Sequence, residues 1–178
     1  MDKLKNNYTR KRQFIFPFEE LGITVEETGR AMGYKPDELV PPIDSLIKEA
    51  LEHAGSIIRI EGGLVLYDVT MDEPTKSLLV NGNQLLVRAK IFHKLKGSEK
   101  VAAFLCTAGS KIGEVSRELM QKGNLLEGYI YDTIGSVTVE KAMDRIQESF
   151  RAEMKAMGYG ITNRYSPGYC GWETAGQF

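Results

Sequence analysis

From Leu125 to Met157 the chain runs without a proline, and apolar residues return at helical spacing throughout. Ile130, Ile134, Val137, Ala142, Ile146, Phe150, Met154 and Met157 form one stripe, and Gly158 supplies the stop. A helix of this length has to bury that stripe, so the other elements must be arranged against it. Gly135 lies mid-helix, where glycine costs about 1 kcal/mol relative to alanine; close approach of another backbone would explain it. Ser136, Glu140, Asp144 and Glu148 recur every four residues and share one side. That row reads either as a solvated acidic face or as carboxylates beside a cationic ligand.

The rest of the chain supplies shorter helices and a sheet. Thr24 to Met32 predicts a helix with Thr24 as cap, Glu26 and Glu27 in its first turn and Gly33 at its end. After Pro41-Pro42, the residues Ile43, Leu46, Ile47, Ala50, Leu51, Ala54, Ile57 and Ile58 predict an amphipathic helix with His53 at its boundary. Leu64 to Val69 reads as a strand following a Gly62-Gly63 turn. Ser77 to Val80 reads as another, and Asn81-Gly82 is a strong two-residue hairpin signal, because a type I′ turn needs positive φ at both positions. Gln84 to Phe92 would return as its partner strand, carrying His93 at its end. Val101 to Cys106 is a continuous apolar run, hence a buried strand, and Cys106 reads as a buried thiol. After Thr107-Ala108-Gly109 comes a helix with Ile112, Val115 and Leu119 on one face, ended by Gly123. No Lys-Ser/Thr pair follows the glycine and no G-x-G-x-x-G occurs, so this is a tight strand-to-helix turn rather than a phosphate loop. The expected fold is therefore α/β, more narrowly α+β, with a mostly antiparallel central sheet packed against the long helix.

Composition removes several function classes. The 178 residues carry 23 Lys+Arg and 24 Asp+Glu, a net charge of -1 that gives no reason to expect nucleic acid or an anionic membrane as partner. No apolar run is long enough to span a bilayer. Arg10-Lys11-Arg12 before Phe14 to Phe18 resembles a leader, but Pro17 and Glu19-Glu20 interrupt it and no small-residue cleavage site follows. Residues 1–22 are read as a mobile basic arm and the protein as cytoplasmic, with 1–178 forming a single domain. Two cysteines and two histidines have no metal-ligand spacing, so neither a metal site nor a catalytic Cys-His pair is expected.

Beyond Gly158 the periodicity ends, yet residues 159–178 are unlike a disordered tail. Arg164, Tyr165, Pro167, Gly168, Tyr169, Cys170 and Trp172 crowd into nine positions. A rigid Pro-Gly turn among aromatics reads either as a loop packed on the body and presenting groups to a ligand, or as an ordered tail sealing the core. Ser166-Pro167-Gly168 could bring backbone groups close to a small molecule. Arg164 offers a fork for a carboxylate, and Tyr169 a flat face with a polar tip. Cys170 as a nucleophile would need a base or a positive field, and only Arg164 is near in sequence.

The run Asn163-Arg164-Tyr165-Ser166-Pro167-Gly168-Tyr169 resembles the R-x-x-P-G-Y signature of the reactivation domain of cobalamin-dependent methionine synthase. Cys170-Gly171-Trp172 is similar to the branch in which that domain is a separate subunit. Met32-Gly33-Tyr34, Thr107-Ala108-Gly109 and Asp132-Thr133-Ile134-Gly135-Ser136 with Glu140 also resemble the family, so the likeness runs from about Thr24 onward. The family continues past the motif where this chain ends at Phe178, which reads either as a C-terminal truncation or as a shorter relative.

The resemblance implies a site for S-adenosylmethionine. Arg164 would hold the ligand carboxylate, Ser166 (through its backbone) and Tyr169 would position the adenosyl part, and Pro167 and Gly168 would also belong to the ligand-binding set. Glu148 would face the sulfonium. It further implies a component of a methyltransferase system that reactivates a cob(II)alamin carried by a partner. That partner would be a cobalamin-binding methionine synthase subunit or another corrinoid protein, with a flavodoxin-like one-electron reductant. No general acid or base is required, because the reduced corrinoid is a strong nucleophile and the sulfonium an activated donor. The alternative is a non-catalytic subunit, having lost ligand binding itself, that docks on a corrinoid protein or on another methyltransferase.

Overall fold

The computed structural model describes residues 11–177. It is an α+β fold with an antiparallel sheet and a long C-terminal helix. The strands are β1 (Arg12–Phe16), β2 (Ile60–Asp72), β3 (Ser77–Val80), β4 (Asn83–Leu86) and β5 (Lys100–Thr107). The helices are α1 (Val25–Ala31), α2 (Ile43–Ile57), α3 (Arg88–Leu95), α4 (Ser110–Gln121) and α5 (Leu125–Ala156). The sheet runs in the order β1-β2-β3-β4, with β5 also paired to β2. The chain, read from sequence as one domain, packs as two compact units. One comprises 11–12, Leu64–Phe104 and 151–177; the other comprises Gln13–Gly63 and Leu105–Phe150.

In the helical unit, Ile47, Ala50 and Ala54 of α2 are buried with Ile58, Ile60, Ala108, Ile112, Ile130, Ile134 and Ala142. Thr24 caps α1 as expected: its hydroxyl accepts the Glu27 N–H, while the Glu27 carboxylate accepts the Thr24 N–H. The Glu27 carboxylate also takes two hydrogen bonds from Lys141 of α5, at 2.7 and 2.8 Å. That lysine, chiefly, holds the Glu27 carboxyl below its ordinary range. Between α4 and α5 the close backbone approach falls at Gly128. A Cβ there would lie 3.0 Å from the Ser116 carbonyl oxygen and 3.2 Å from the Met120 nitrogen. Gly135, where such an approach was expected, meets only the Ile112 side chain, at 3.4 Å. Thr138 takes a buried place on the stripe, donating its hydroxyl to the Ile134 carbonyl, and Met157 is exposed.

In the loop unit, β2–β3–β4 form an antiparallel meander, with Val69 opposite Val80 and Leu79 opposite Gln84. Asn81 and Gly82 both have positive φ, 50° and 79°, as a type I′ turn demands. Leu78, Val87, Ile91 and Phe92 form its fully buried centre.

Four local expectations are corrected. Gly62-Gly63 do not turn; they lie within β2, where a Cβ on Gly62 would be 2.6 Å from Ile146 Cδ1. Glycine there lets α5 press on the strand. The expected strand Gln84 to Phe92 ends at Leu86, and α3 follows, so His93 is helical. The apolar run to Cys106 is not buried on both faces: the burial of β5 alternates, Leu105 is 71% exposed and Cys106 is half-buried. Of the basic arm, residues 1–10 lie outside the described part, and the rest forms regular structure. Phe14 and Phe16 alternate inward on β1, a 3-10 turn spans Phe18–Leu21, and Leu21 is buried.

Candidate functional site

The long helix closes with two backbone bonds. Gly158 N–H, at φ 85°, donates to Lys155, and Tyr159 N–H donates to Met154. This pairing satisfies carbonyls that the helix end would otherwise leave bare, and it turns the chain out of the helix. The segment so released carries the sequence-predicted motif.

That motif folds as two linked turns. In the first, Tyr169 N–H donates to the Ser166 carbonyl at 3.2 Å, with Pro167 second and Gly168 third at φ 94°. Proline followed by a residue of positive φ is the requirement of a type II turn. In the second, Trp172 N–H donates to the Tyr169 carbonyl at 3.0 Å across Cys170 and Gly171, whose φ values are 55° and 79°. A bond of 2.7 Å from Gly168 N–H to the Trp172 carbonyl ties the two turns together. Gly168 is closely packed as well, since a Cβ on it would lie 3.2 Å from Thr174 Cγ2.

The structure thus brings Ser166, Pro167, Gly168 and Tyr169 together in one rigid element, with Arg164 two residues ahead and partly buried. Tyr169 is 71% exposed, so its ring is available as a surface. The N–H groups of Gly168 and Tyr169 are spent inside the loop, so the turn offers a ligand carbonyl acceptors and an aromatic face more than donors. Glu148 belongs to the helical unit. It is exposed and lines a cleft of about 310 Å³ together with Glu20, Leu21, Lys141, Asp144 and Arg145. Ser136, Glu140 and Asp144 are exposed with it on α5. The basic residues beside that row are engaged with acids across the unit, Lys141 with Glu27 and Arg145 with Glu20.

Sequence reasoning missed what seats the loop. Tyr165 and Trp172 pack against the Leu78–Val87–Ile91–Phe92 cluster, and Glu173 pairs with Arg88 at the start of α3. The signal was present in the spacing of Val87, Ile91 and Leu95, which is helical, but the adjoining hairpin drew the segment into a strand. Among the described residues no group of three or more His, Cys, Asp or Glu could hold a metal ion. No described helix is long and apolar enough to cross a membrane.

No protein-family model matches the chain, and no curated protein matches it. Among solved structures it is similar to the crystal structure of the MetH reactivation domain bound to AdoHcy, with a TM-score of 0.62 and 12% identity. The alignment covers 92% of this chain and 66% of that one, just under two thirds of its length. The fold is that of the MetH reactivation domain. At 12% identity the likeness stops at the fold, and the chemistry of this chain rests on its own residues.

Proposed function

We propose that the chain binds S-adenosylmethionine through the Arg164–Tyr169 segment and serves the reductive methylation of a corrinoid carried by a partner protein. The observation that carries this reading is the construction of the motif. Its Pro-Gly-Tyr core is a rigid pair of turns with an outward aromatic ring, held on the fold of a reactivation domain whose solved structure contains AdoHcy.

The residues suit such a ligand. A guanidinium forks onto a carboxylate, which Arg164 would do for the methionyl end. Carbonyl oxygens of the type II turn accept from an amine, and the Tyr169 ring stacks on a flat heterocycle. When bound, S-adenosylmethionine supplies a methyl group already activated on a sulfonium, so the protein needs no general acid or base. Its task is to bind, orient and exclude water. The proposed partner is a cobalamin-binding methionine synthase subunit or another corrinoid protein. A flavodoxin-like donor would supply the electron, and the cytoplasm is the proposed setting.

Calorimetric titration of the chain with S-adenosylmethionine and with S-adenosylhomocysteine tests this. Saturable binding is expected, weakened in Arg164→Ala by about 1.5–3 kcal/mol, the scale of a charge-assisted hydrogen bond. No binding at millimolar ligand, or equal binding by Arg164→Ala, would reject the site and favour the docking-subunit alternative.

A further inference from the structure

Trp172 is the chain's one tryptophan, and it follows directly on the turn that ends the proposed ligand segment. Its backbone closes both halves of that segment, donating N–H to Tyr169 and accepting the Gly168 N–H at 2.7 Å. Its side chain lies partly buried against the cluster of Leu78, Val87, Ile91 and Phe92, where Tyr165 from the other end of the motif also packs. One residue on, Glu173 pairs with Arg88. Arg88 itself takes a left-handed φ of 61° at the start of α3. The loop is therefore fastened at both ends to one preformed surface, and all of these residues belong to the same compact unit.

We infer that Trp172 is a positioning residue for the ligand segment: its indole, seated on α3 and β3, holds the Pro167–Tyr169 turn in the shape that binds. This rests on the reading above that the segment is the ligand site. A loop ordered before the ligand arrives does not lose that entropy on binding, so affinity depends on the anchor although the anchor need not touch the ligand. The type I′ turn of Cys170-Gly171 transmits the constraint, because it fixes the distance between the anchored Trp172 and the exposed Tyr169.

Two pairs of variants test this by calorimetry with S-adenosylhomocysteine. Trp172→Ala removes the anchor and Trp172→Phe keeps most of it. Trp172→Ala is expected to bind about tenfold more weakly, with Trp172→Phe within about threefold of the unsubstituted chain. The second pair spares the core. A Cβ on Gly171 meets nothing within 4 Å, but its φ of 79° is tolerated by asparagine and strained for a β-branched residue. Gly171→Val should therefore lose affinity about as Trp172→Ala does, while Gly171→Asn stays near the original, both remaining folded by circular dichroism. Gly171→Val keeps the test decisive should Trp172→Ala fail to fold.

If the unsubstituted chain binds and Trp172→Ala or Gly171→Val binds equally well, the anchoring role is overturned and the ligand site stands. If the unsubstituted chain binds nothing, the site and the anchor fall together.

Discussion

Gly128 and Gly135 lie seven residues apart on α5, and the packing between α4 and α5 makes them respond oppositely to one added methyl. At Gly128 the new Cβ would sit 2.6 Å from Met120 Cγ, 3.0 Å from the Ser116 carbonyl oxygen and 3.2 Å from the Met120 nitrogen. The Met120 side chain is partly exposed and can swing away, but the two backbone atoms cannot move unless α4 does. Such a shift would also stretch the buried 2.8 Å hydrogen bond from the Ser116 hydroxyl to the Gly128 carbonyl. Overpacking costs about 1–3 kcal/mol and the weakened bond about 1 kcal/mol. Alanine returns about 1 kcal/mol of helix propensity. Gly128→Ala should therefore be destabilised by about 2 kcal/mol, which for a chain of this size lowers Tm by about 4–8 °C. At Gly135 the same Cβ meets only Ile112 side-chain carbons, at 3.4 and 3.5 Å, an ordinary contact. Gly135→Ala should be neutral or more stable by up to about 1 kcal/mol. The assay is thermal and urea unfolding of both variants beside the original chain. The packing argument is refuted if Gly128→Ala is as stable as the original, or if Gly135→Ala is the more damaged of the two.

Other outcomes can be checked by simpler means. The Lys141 hydrogen bonds lower the Glu27 pKa from its ordinary 4.5, so their stabilisation is present above that value and is lost as pH falls through the folded-state pKa. The Tm gap between the original chain and Glu27→Gln should thus be full at pH 6–7 and close as the pH is taken below the ordinary carboxylate range; a gap independent of pH would show that the ion pair carries none of it. Phe92, fully buried at the centre of the loop unit, should cost about 3–5 kcal/mol when replaced by alanine, read by urea unfolding, and a loss under about 1 kcal/mol would mean the cluster collapses to fill the space. With a thiol reagent near pH 8, exposed Cys170 should label quickly and Cys106 slowly, since burial raises the Cys106 pKa and limits access; two equally fast thiols would contradict the packing of β5.

Much of this was legible in order along the chain, wherever a local rule forces one conformation. Thr24 with Glu27 announced a capped helix, Asn81-Gly82 a tight hairpin, and Pro167-Gly168 a turn with positive φ, and each forms as its chemistry requires. The segment from Val87 to Phe92 was misread because its residues suit either period, and the choice falls to the cluster that Ile91 and Phe92 enter. Gly62 was misread for a related reason. Glycine marks both turns and close approaches, and only the presence of Ile146 above the strand says which.

The sequence by itself determined most of the elements, α3 excepted, together with the antiparallel hairpin, the long helix and the turn at Pro167-Gly168. These follow from short-range terms: caps, turn dihedrals, the period of apolar residues and the absence of proline. Tertiary structure alone decided that Gly128 rather than Gly135 takes the close approach of α4, and that Tyr165 and Trp172 are anchors. It also decided that the turn donors of Gly168 and Tyr169 are consumed within the loop. Those outcomes depend on which atoms meet across long stretches of chain, and residue type and spacing do not encode such meetings until the core has closed around them.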